Sequence, residues 1–294
     1  MSGNGEGTRT NGERIRRMAP YGWIGLALIL TAEILLHLRI RPVPSFFTPL
    51  VWSGYILFVD ALIGALQGRS LIRDRTVEFL LMLPLSLVFW LIFELYNIHI
   101  RNWHYIGLPE NMLIRGLGYV WSFATIWPAI LLTARLMELV IGTRGRVPAI
   151  RAGAAVQWTL IIVGSIFLVA PILVPASVAR YLVALIWLGF ILLLEPTNYR
   201  RGGWSLLRDW ERGSAARLLA LAASGLICGL LWEFWNYWAV TKWIYTVPLP
   251  LGPKVFEMPL GGYLGFIPFA VECHVMYAFV LTLRRKPWFP EREI

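Results

Sequence analysis

Two stretches of the chain repeat one another at the positions that carry polar and aromatic side chains. Glu94, Asn97, Trp103, Tyr105 and Pro109 in the first half recur as Glu233, Asn236, Trp243, Tyr245 and Pro248 in the second. Upstream, Trp52, Gly54 and Asp60 recur as Trp187, Gly189 and Glu195. Ser70, Arg73 and Asp74 recur as Ser205, Arg208 and Asp209, and Trp23 recurs as Trp158, all at one constant offset. An offset held over that length reads as an internal duplication, so whatever fold one half adopts the other should adopt as well.

The repeated unit is a membrane unit. A mean hydropathy of +0.62, with 57% hydrophobic and only 15% charged residues, lies far from the composition of soluble globular domains. Apolar runs long enough to cross a hydrocarbon core of about 30 Å occupy 22–38, 47–67, 78–98, 116–138, 154–175, 180–195, 216–238 and 260–283. The expectation is an all-α, polytopic membrane protein with about eight transmembrane helices, arranged as two parallel four-helix repeats over 21–150 and 151–286. The sixth run is the shortest, because Pro196 ends it, and its counterpart at 47–67 supports it. Residues 1–20 read as a disordered cytoplasmic tail and 287–294 as a second tail. No small-residue cleavage site follows a charged start, so a removed signal peptide is not expected.

Arginine placement predicts orientation, since short cytoplasmic loops retain positive charge. One side would hold Arg9, Arg14, Arg16, Arg17, Arg69, Arg73, Arg75, Arg144, Arg146, Arg151, Arg200, Arg201, Arg208, Arg212, Arg217, Arg284, Arg285, Lys286 and Arg292; the other holds Arg39, Arg41, Arg101, Arg115, Arg180, Lys242 and Lys254. Both termini are therefore expected on the cytoplasmic face of the plasma (inner) membrane. The net charge of +10 then reflects topology and anionic headgroups of membrane lipids, not nucleic acid. With four helices per repeat the copies lie parallel, about an axis along the membrane normal, and a site between them would be pseudo-symmetric. Cys228 and Cys273 fall inside expected helices and read as small packing residues.

Ionisable groups inside a membrane are costly, on the order of 3 kcal/mol at a helix centre, and therefore point to function. Glu94 and Asn97 share one helical face, and Glu233 and Asn236 repeat the arrangement. The amide can hold the carboxyl group in place, and an apolar surround favours the protonated acid. Trp232, Trp235, Trp243 and Tyr245, with Trp103 and Tyr105 in the first copy, supply ring faces that stabilise a cation. A buried acid between aromatic walls is the equipment for protonating an olefin and guiding the resulting carbocation. The competing structural reading is that Trp and Tyr collect at membrane interfaces and a Glu near a helix end reaches the headgroups. Asp60 and Glu195 are expected to form ion pairs with Arg73 and Arg208, and Glu33 with His37 an interfacial pair. Four histidines are too few for a multi-histidine di-iron site, and no HExxH, aspartate-rich, GxSxG or P-loop pattern occurs, so no metal and no cofactor are expected.

From Asn236 the order is Asn-Tyr-Trp-Ala-Val-Thr-Lys-Trp-Ile-Tyr, then a loop with Gly252, then Phe256-Glu257-Met258-Pro259-Leu260-Gly261-Gly262-Tyr263. This resembles the integral-membrane lycopene cyclase family, whose tandem repeats carry a polar residue, a Trp-x-Tyr, a glycine loop and a Pro-x-Glu-Glu opening the next helix. The chain departs from that pattern at the paired glutamates, where Gly261 and Gly262 stand. The resemblance implies metal-independent, acid-initiated ring closure of a polyene. Leu231-Trp232-Glu233-Phe234 is also similar to the Trp-Glu pair of the small membrane terpene cyclases, which implies an acid at Glu233.

The expected function is cyclisation or isomerisation of an isoprenoid or other long lipid held between the repeats. Glu233 and Glu94 would be the acid/base groups, and Asn236, Asn97, Trp232, Trp235, Trp243, Tyr245, Trp103 and Tyr105 would line the substrate. Two alternatives stay open: a carrier of a lipid or small amphiphile using the same cleft, and a structural subunit whose Glu-Asn and Trp-Tyr elements lock the repeats together.

Overall fold

A computed structural model describes residues 16–283. The expected tail 287–294, and the other up to residue 15, lie outside the described residues. The first half runs α1 (Pro20–His37), α2 (Val43–Gln67), α3 (Leu71–Asp74), α4 (Thr76–Ile100), β1 (Trp103–Ile106), α5 (Met112–Ala124) and α6 (Ile126–Ile141). The second runs α7 (Ala154–Leu173), α8 (Ala176–Ala179), α9 (Val183–Arg200), α10 (Leu206–Glu211), α11 (Ala216–Trp238), β2 (Lys242–Tyr245), β3 (Lys254–Val255), β4 (Met258–Pro259) and α12 (Phe266–Leu283).

The protein is all-helical apart from these short strands. Among the described residues, seven helical segments are long and apolar enough to cross a membrane. The exception among the expected runs is α9. It has 18 residues, but its last two turns carry Glu195, Pro196, Asn198 and Arg200. The fourth span is two helices meeting at Thr125. Pro128 has no N–H to continue the ladder. The Ser86 hydroxyl stands between the next pair of backbone groups, accepting from the Trp127 N–H at 3.1 Å and donating to the Phe123 carbonyl at 2.5 Å. An inserted side chain is a recognised cause of such a break.

Backbones approach closely where side chains vanish. A Cβ on Gly54 of α2 would lie 2.6 Å from the carbonyl oxygen of Gly25 in α1, and one on Gly164 of α7 would lie 2.8 Å from that of Gly189 in α9. Small residues at helix crossings suit a membrane, where apolar surface gains little by pairing and dispersion between close backbones takes its place. The halves interlock through polar contacts in their shared core. Ser224 donates to the Ile130 carbonyl at 2.7 Å, Trp127 to that of Cys273 at 2.9 Å, and Tyr277 to Glu78 at 2.7 Å. Cys228 is buried and unpaired, with its sulfur 3.4 Å from the Thr133 hydroxyl.

The arginine-bearing loops gather at one end, where the Val147 N–H donates to the Gly213 carbonyl and Arg217 reaches both Glu138 and Asp209. The strands gather at the other. There β1 and β2 pair antiparallel with Trp103 opposite Tyr245, His104 opposite Ile244 and Tyr105 opposite Trp243. This register is symmetric in sequence: exchanging Trp103 with Trp243 and Tyr105 with Tyr245 about the His104–Ile244 pair leaves the pairing unchanged.

Three expected pairs take other partners. Asp60 accepts the backbone N–H groups of Leu71 and Ile72 at 2.8 and 3.1 Å and the Tyr21 hydroxyl at 2.7 Å. Glu195 accepts the Leu207 N–H at 3.0 Å and the Ser205 hydroxyl at 2.5 Å. Both carboxyl groups thus satisfy the open N–H groups that begin α3 and α10, together with the capping hydroxyls of Ser70 and Ser205. Arg73 turns instead to Asp74 and the Gly68 carbonyl, and Arg208 to the carbonyls of Tyr199 and Gly202. Glu33 accepts the Trp235 indole N–H across the halves at 2.9 Å, leaving His37 exposed.

Candidate functional site

At the end of α4 the chain must turn out of a helix and enter a strand, which leaves helix-end and strand-start groups to be satisfied. Asn97 does this. Its Oδ1 accepts the backbone N–H groups of Asn102 and Trp103, and its Nδ2 donates to the Trp103 carbonyl at 2.9 Å. Asn236 repeats the arrangement at the end of α11, accepting the Trp243 N–H at 3.0 Å and donating to the Trp243 carbonyl at 2.9 Å. The asparagines therefore fix where the strands leave the helices, and they do not line the substrate space.

The strands fold their aromatic rings back over the carboxyl groups one turn earlier in each helix. Glu94 Oε1 accepts three donors: the Trp90 indole at 2.9 Å, the Trp103 indole at 3.0 Å and the Tyr105 hydroxyl at 2.6 Å. Glu233 Oε1 accepts the Tyr245 hydroxyl at 2.7 Å, and the Trp243 indole donates to that hydroxyl oxygen at 2.8 Å. Glu233 is fully buried, and its Oε2 has no hydrogen-bond partner. In both strands the tyrosine pKa is pushed well above its usual 10, first by burial and then by the neighbouring carboxyl group. The phenols consequently keep their protons.

Both sets of rings face one cavity of ≈ 140 Å³ at the strand end of the bundle. Half of its lining is aromatic, drawn from both halves: Trp52, Trp90, Trp103, Tyr105, Tyr119 and Phe123 from the first, Trp187, Trp232, Trp243, Tyr245, Phe266 and Phe269 from the second. Comparison with protein-family models, curated proteins and solved structures finds no match. The site is therefore read from its own geometry.

Of the residues singled out in the sequence, Trp103, Tyr105, Trp232, Trp243 and Tyr245 line the cavity. Glu94 and Glu233 stand one layer behind it, joined to it through the tyrosine hydroxyls. Trp235 is not in the lining; it packs on Trp52 with ring centroids 5.0 Å apart and is held by Glu33. Trp52 and Trp187, which the sequence marked only as repeat positions, meet in the same cavity. Trp90, Tyr119 and Phe269 carried no such mark. Arg115 stands in the lining with its Nε bound to the Pro109 carbonyl at 2.9 Å, and Lys242 is paired with Glu257 at 2.6 Å.

Gly261 and Gly262 lie in a 3-10 turn before α12 and outside the cavity lining. A side chain at 262 would run into the Met258 sulfur. The carboxyl groups hydrogen-bonded to rings of this lining are Glu94 and Glu233. Among the described residues no group of three or more His, Cys, Asp or Glu side chains comes together to hold a metal ion.

Proposed function

We propose that the protein is a membrane-embedded enzyme that binds the end of an isoprenoid or similar polyene lipid in the aromatic cavity and closes it into a ring by proton-initiated cyclisation or isomerisation. The observation that carries this reading is the pair of carboxyl–tyrosine relays, Glu94–Tyr105 and Glu233–Tyr245, opening onto one aromatic chamber. An apolar cavity of about 150 Å³ takes up a benzene molecule, so this one suits a single ring or prenyl end, with the rest of the chain left in the bilayer.

The relay conserves protons. With Glu233 protonated and its O–H turned to donate to the phenol oxygen, the reverse of the resting hydrogen bond, Tyr245 gives its hydroxyl proton to the terminal alkene carbon as Glu233 passes its own proton to that oxygen, and no phenolate remains. The resulting carbocation is attacked by the π electrons of the next double bond, which forms the ring bond. Loss of a neighbouring proton back through Tyr245 to Glu233 restores both groups, and the product is an isomer of unchanged mass. Trp232 and Trp243 present ring faces to the transient cation.

The finer architecture belongs to the same proposal: eight spans, α9 included, arising from a duplication, with parallel halves related by the axis through His104 and Ile244. The arginine-rich end and both termini face the cytoplasm, in keeping with positive charge retained there. The likeness to the lycopene cyclase repeat supports the substrate class.

A second reading, a lipid carrier without chemistry, draws on one observation: neither glutamate lines the cavity. Expression in cells accumulating a linear polyene separates the two. The parental chain should yield a new lipid of unchanged mass, and Glu233→Gln and Tyr245→Phe should lose it at equal membrane levels. If all three accumulate only the linear polyene, cyclisation of that polyene is refuted; a polyene that nevertheless co-purifies with them identifies the carrier.

A further inference from the structure

At the arginine-rich end, opposite the aromatic chamber, a second and larger cavity of ≈ 600 Å³ lies among α2, α3, α4, α6, α11 and α12. Its size falls within the roughly 300–1,000 Å³ of small-molecule sites. One wall is apolar, with Met82, Leu131, Leu132 and Leu221; the other is charged. Arg69, Arg75, Arg135 and Arg217 line it against Asp74, Glu78 and Glu138.

The carboxyl groups are shared among these cations and others nearby. Asp74 is held by Arg73, which lies outside the lining, at 3.0 Å. Glu78 takes Arg75 at 2.6 Å, and Glu138 takes Arg135 at 2.9 Å and Arg217 at 3.4 Å. Arg217 is shared in turn with Asp209 at 3.3 Å. Among the described lining residues, arginines thus outnumber carboxyl groups by four to three.

Between the two walls stands His274 of α12. It lines the cavity, is only 6% exposed, and its Nε2 has no hydrogen-bond partner. Arg217 shares the lining with that ring. A buried polar atom without a partner costs free energy that a bound ligand recovers. None of these groups belongs to the aromatic site, and the functional reading above makes no use of them.

We propose that this cavity binds the phosphate group of an amphiphile, with Arg217 and the His274 Nε2–H on the phosphate oxygens and the first carbons of the tail against Leu131, Leu132 and Leu221. Arginine suits phosphate because its planar donors match the oxygens in pairs. The same phosphate chemistry reaches the site either as a lipid headgroup or as free phosphate, and the amphiphilic walls favour the headgroup.

Binding to the full chain in neutral-lipid nanodiscs tests this, with dodecyl phosphate, inorganic phosphate and uncharged dodecyl glucoside as probes. Dodecyl phosphate should bind saturably and at least tenfold tighter than dodecyl glucoside. His274→Leu should weaken dodecyl phosphate about tenfold, and His274→Gln, which restores an N–H donor, should recover part of the loss. Inorganic phosphate that competes with dodecyl phosphate at equal strength makes free phosphate the ligand; weak competition makes it a headgroup. Equal binding of dodecyl phosphate and dodecyl glucoside would overturn the proposal, as would unchanged dodecyl phosphate affinity in His274→Leu. Should His274→Leu fail to fold, the comparison of the two amphiphiles on the parental chain decides by itself.

Discussion

The end of α4 and the end of α11 carry the same four residues in the same order, yet their carboxyl groups are wired differently. Glu94 receives three donors and is half-buried; Glu233 receives one, is fully buried and keeps a bare oxygen. The difference begins one turn upstream. Trp90 supplies a donor to Glu94, and at the same offset in the second half stands Gly229, into whose empty space the Phe266 ring packs. One glycine therefore removes a donor and brings in an apolar neighbour. A single motif thus holds one carboxyl group with three donors and leaves the other with a bare oxygen, and that bare oxygen is the reason the proposed relay begins at Glu233.

Restoring the missing tryptophan is the most damaging way to challenge this contrast. Gly229→Trp would overlap the Phe266 ring, and no folded protein should be recovered on size-exclusion chromatography. The double variant with Phe266→Ala should regain folded protein and lower the turnover assigned to Glu233. Leucine at each carboxyl position should separate the stations next. Glu94→Leu leaves three donors stranded and should cost about 3 kcal/mol or more, whereas Glu233→Leu strands one and should cost about 1–2 kcal/mol, read as thermal unfolding in detergent. Equal losses would dissolve the contrast.

The asparagines should show a smaller contrast, because each ties down its own strand entry, Asn97 with two accepted backbone N–H groups and Asn236 with one. Asn97→Ala and Asn236→Ala should each cost about 1–2 kcal/mol, and a difference greater than about 1 kcal/mol would mean that the strand entries are not equivalent. The smallest effect is expected from alkaline titration. Tyr105 and Tyr245 have raised pKa values in the folded state, so the stability they contribute is intact below the unfolded value of about 10 and is lost as pH rises beyond it. Tyrosinate absorbance of the folded protein at pH 10 should therefore be the same for the parent and for Tyr245→Phe; a drop in the variant would show that this phenol ionises normally.

Much of the site could be read from one dimension. The recurring Glu-Asn and Trp-x-Tyr spacing marked residues that the structure brings into contact, and Trp52 and Trp187 were visible as repeat positions before they were seen to share a cavity. The layering of the site was not visible. Helical periodicity places Glu94 and Asn97 on one face, but it cannot show that a strand folds back and lays Tyr105 and Trp103 across the carboxyl group. The same limit explains Asp60 and Glu195. Arginines follow them at a suggestive distance in sequence, whereas nearer backbone N–H groups at the starts of α3 and α10 take the carboxyl oxygens, since an open helix start must be satisfied by some acceptor.

The sequence alone determined that this chain is helical and apolar enough to enter a bilayer, because each of those properties is a sum or a period over neighbouring residues. Tertiary structure alone decided that Ser86 breaks the fourth span, that Phe266 occupies the place of a second Trp90, and that His274 brings an unpartnered Nε2 to a chamber lined by arginines and carboxyl groups. Each of these depends on atoms far apart along the chain arriving within about 4 Å of one another, the range over which packing and hydrogen bonding act.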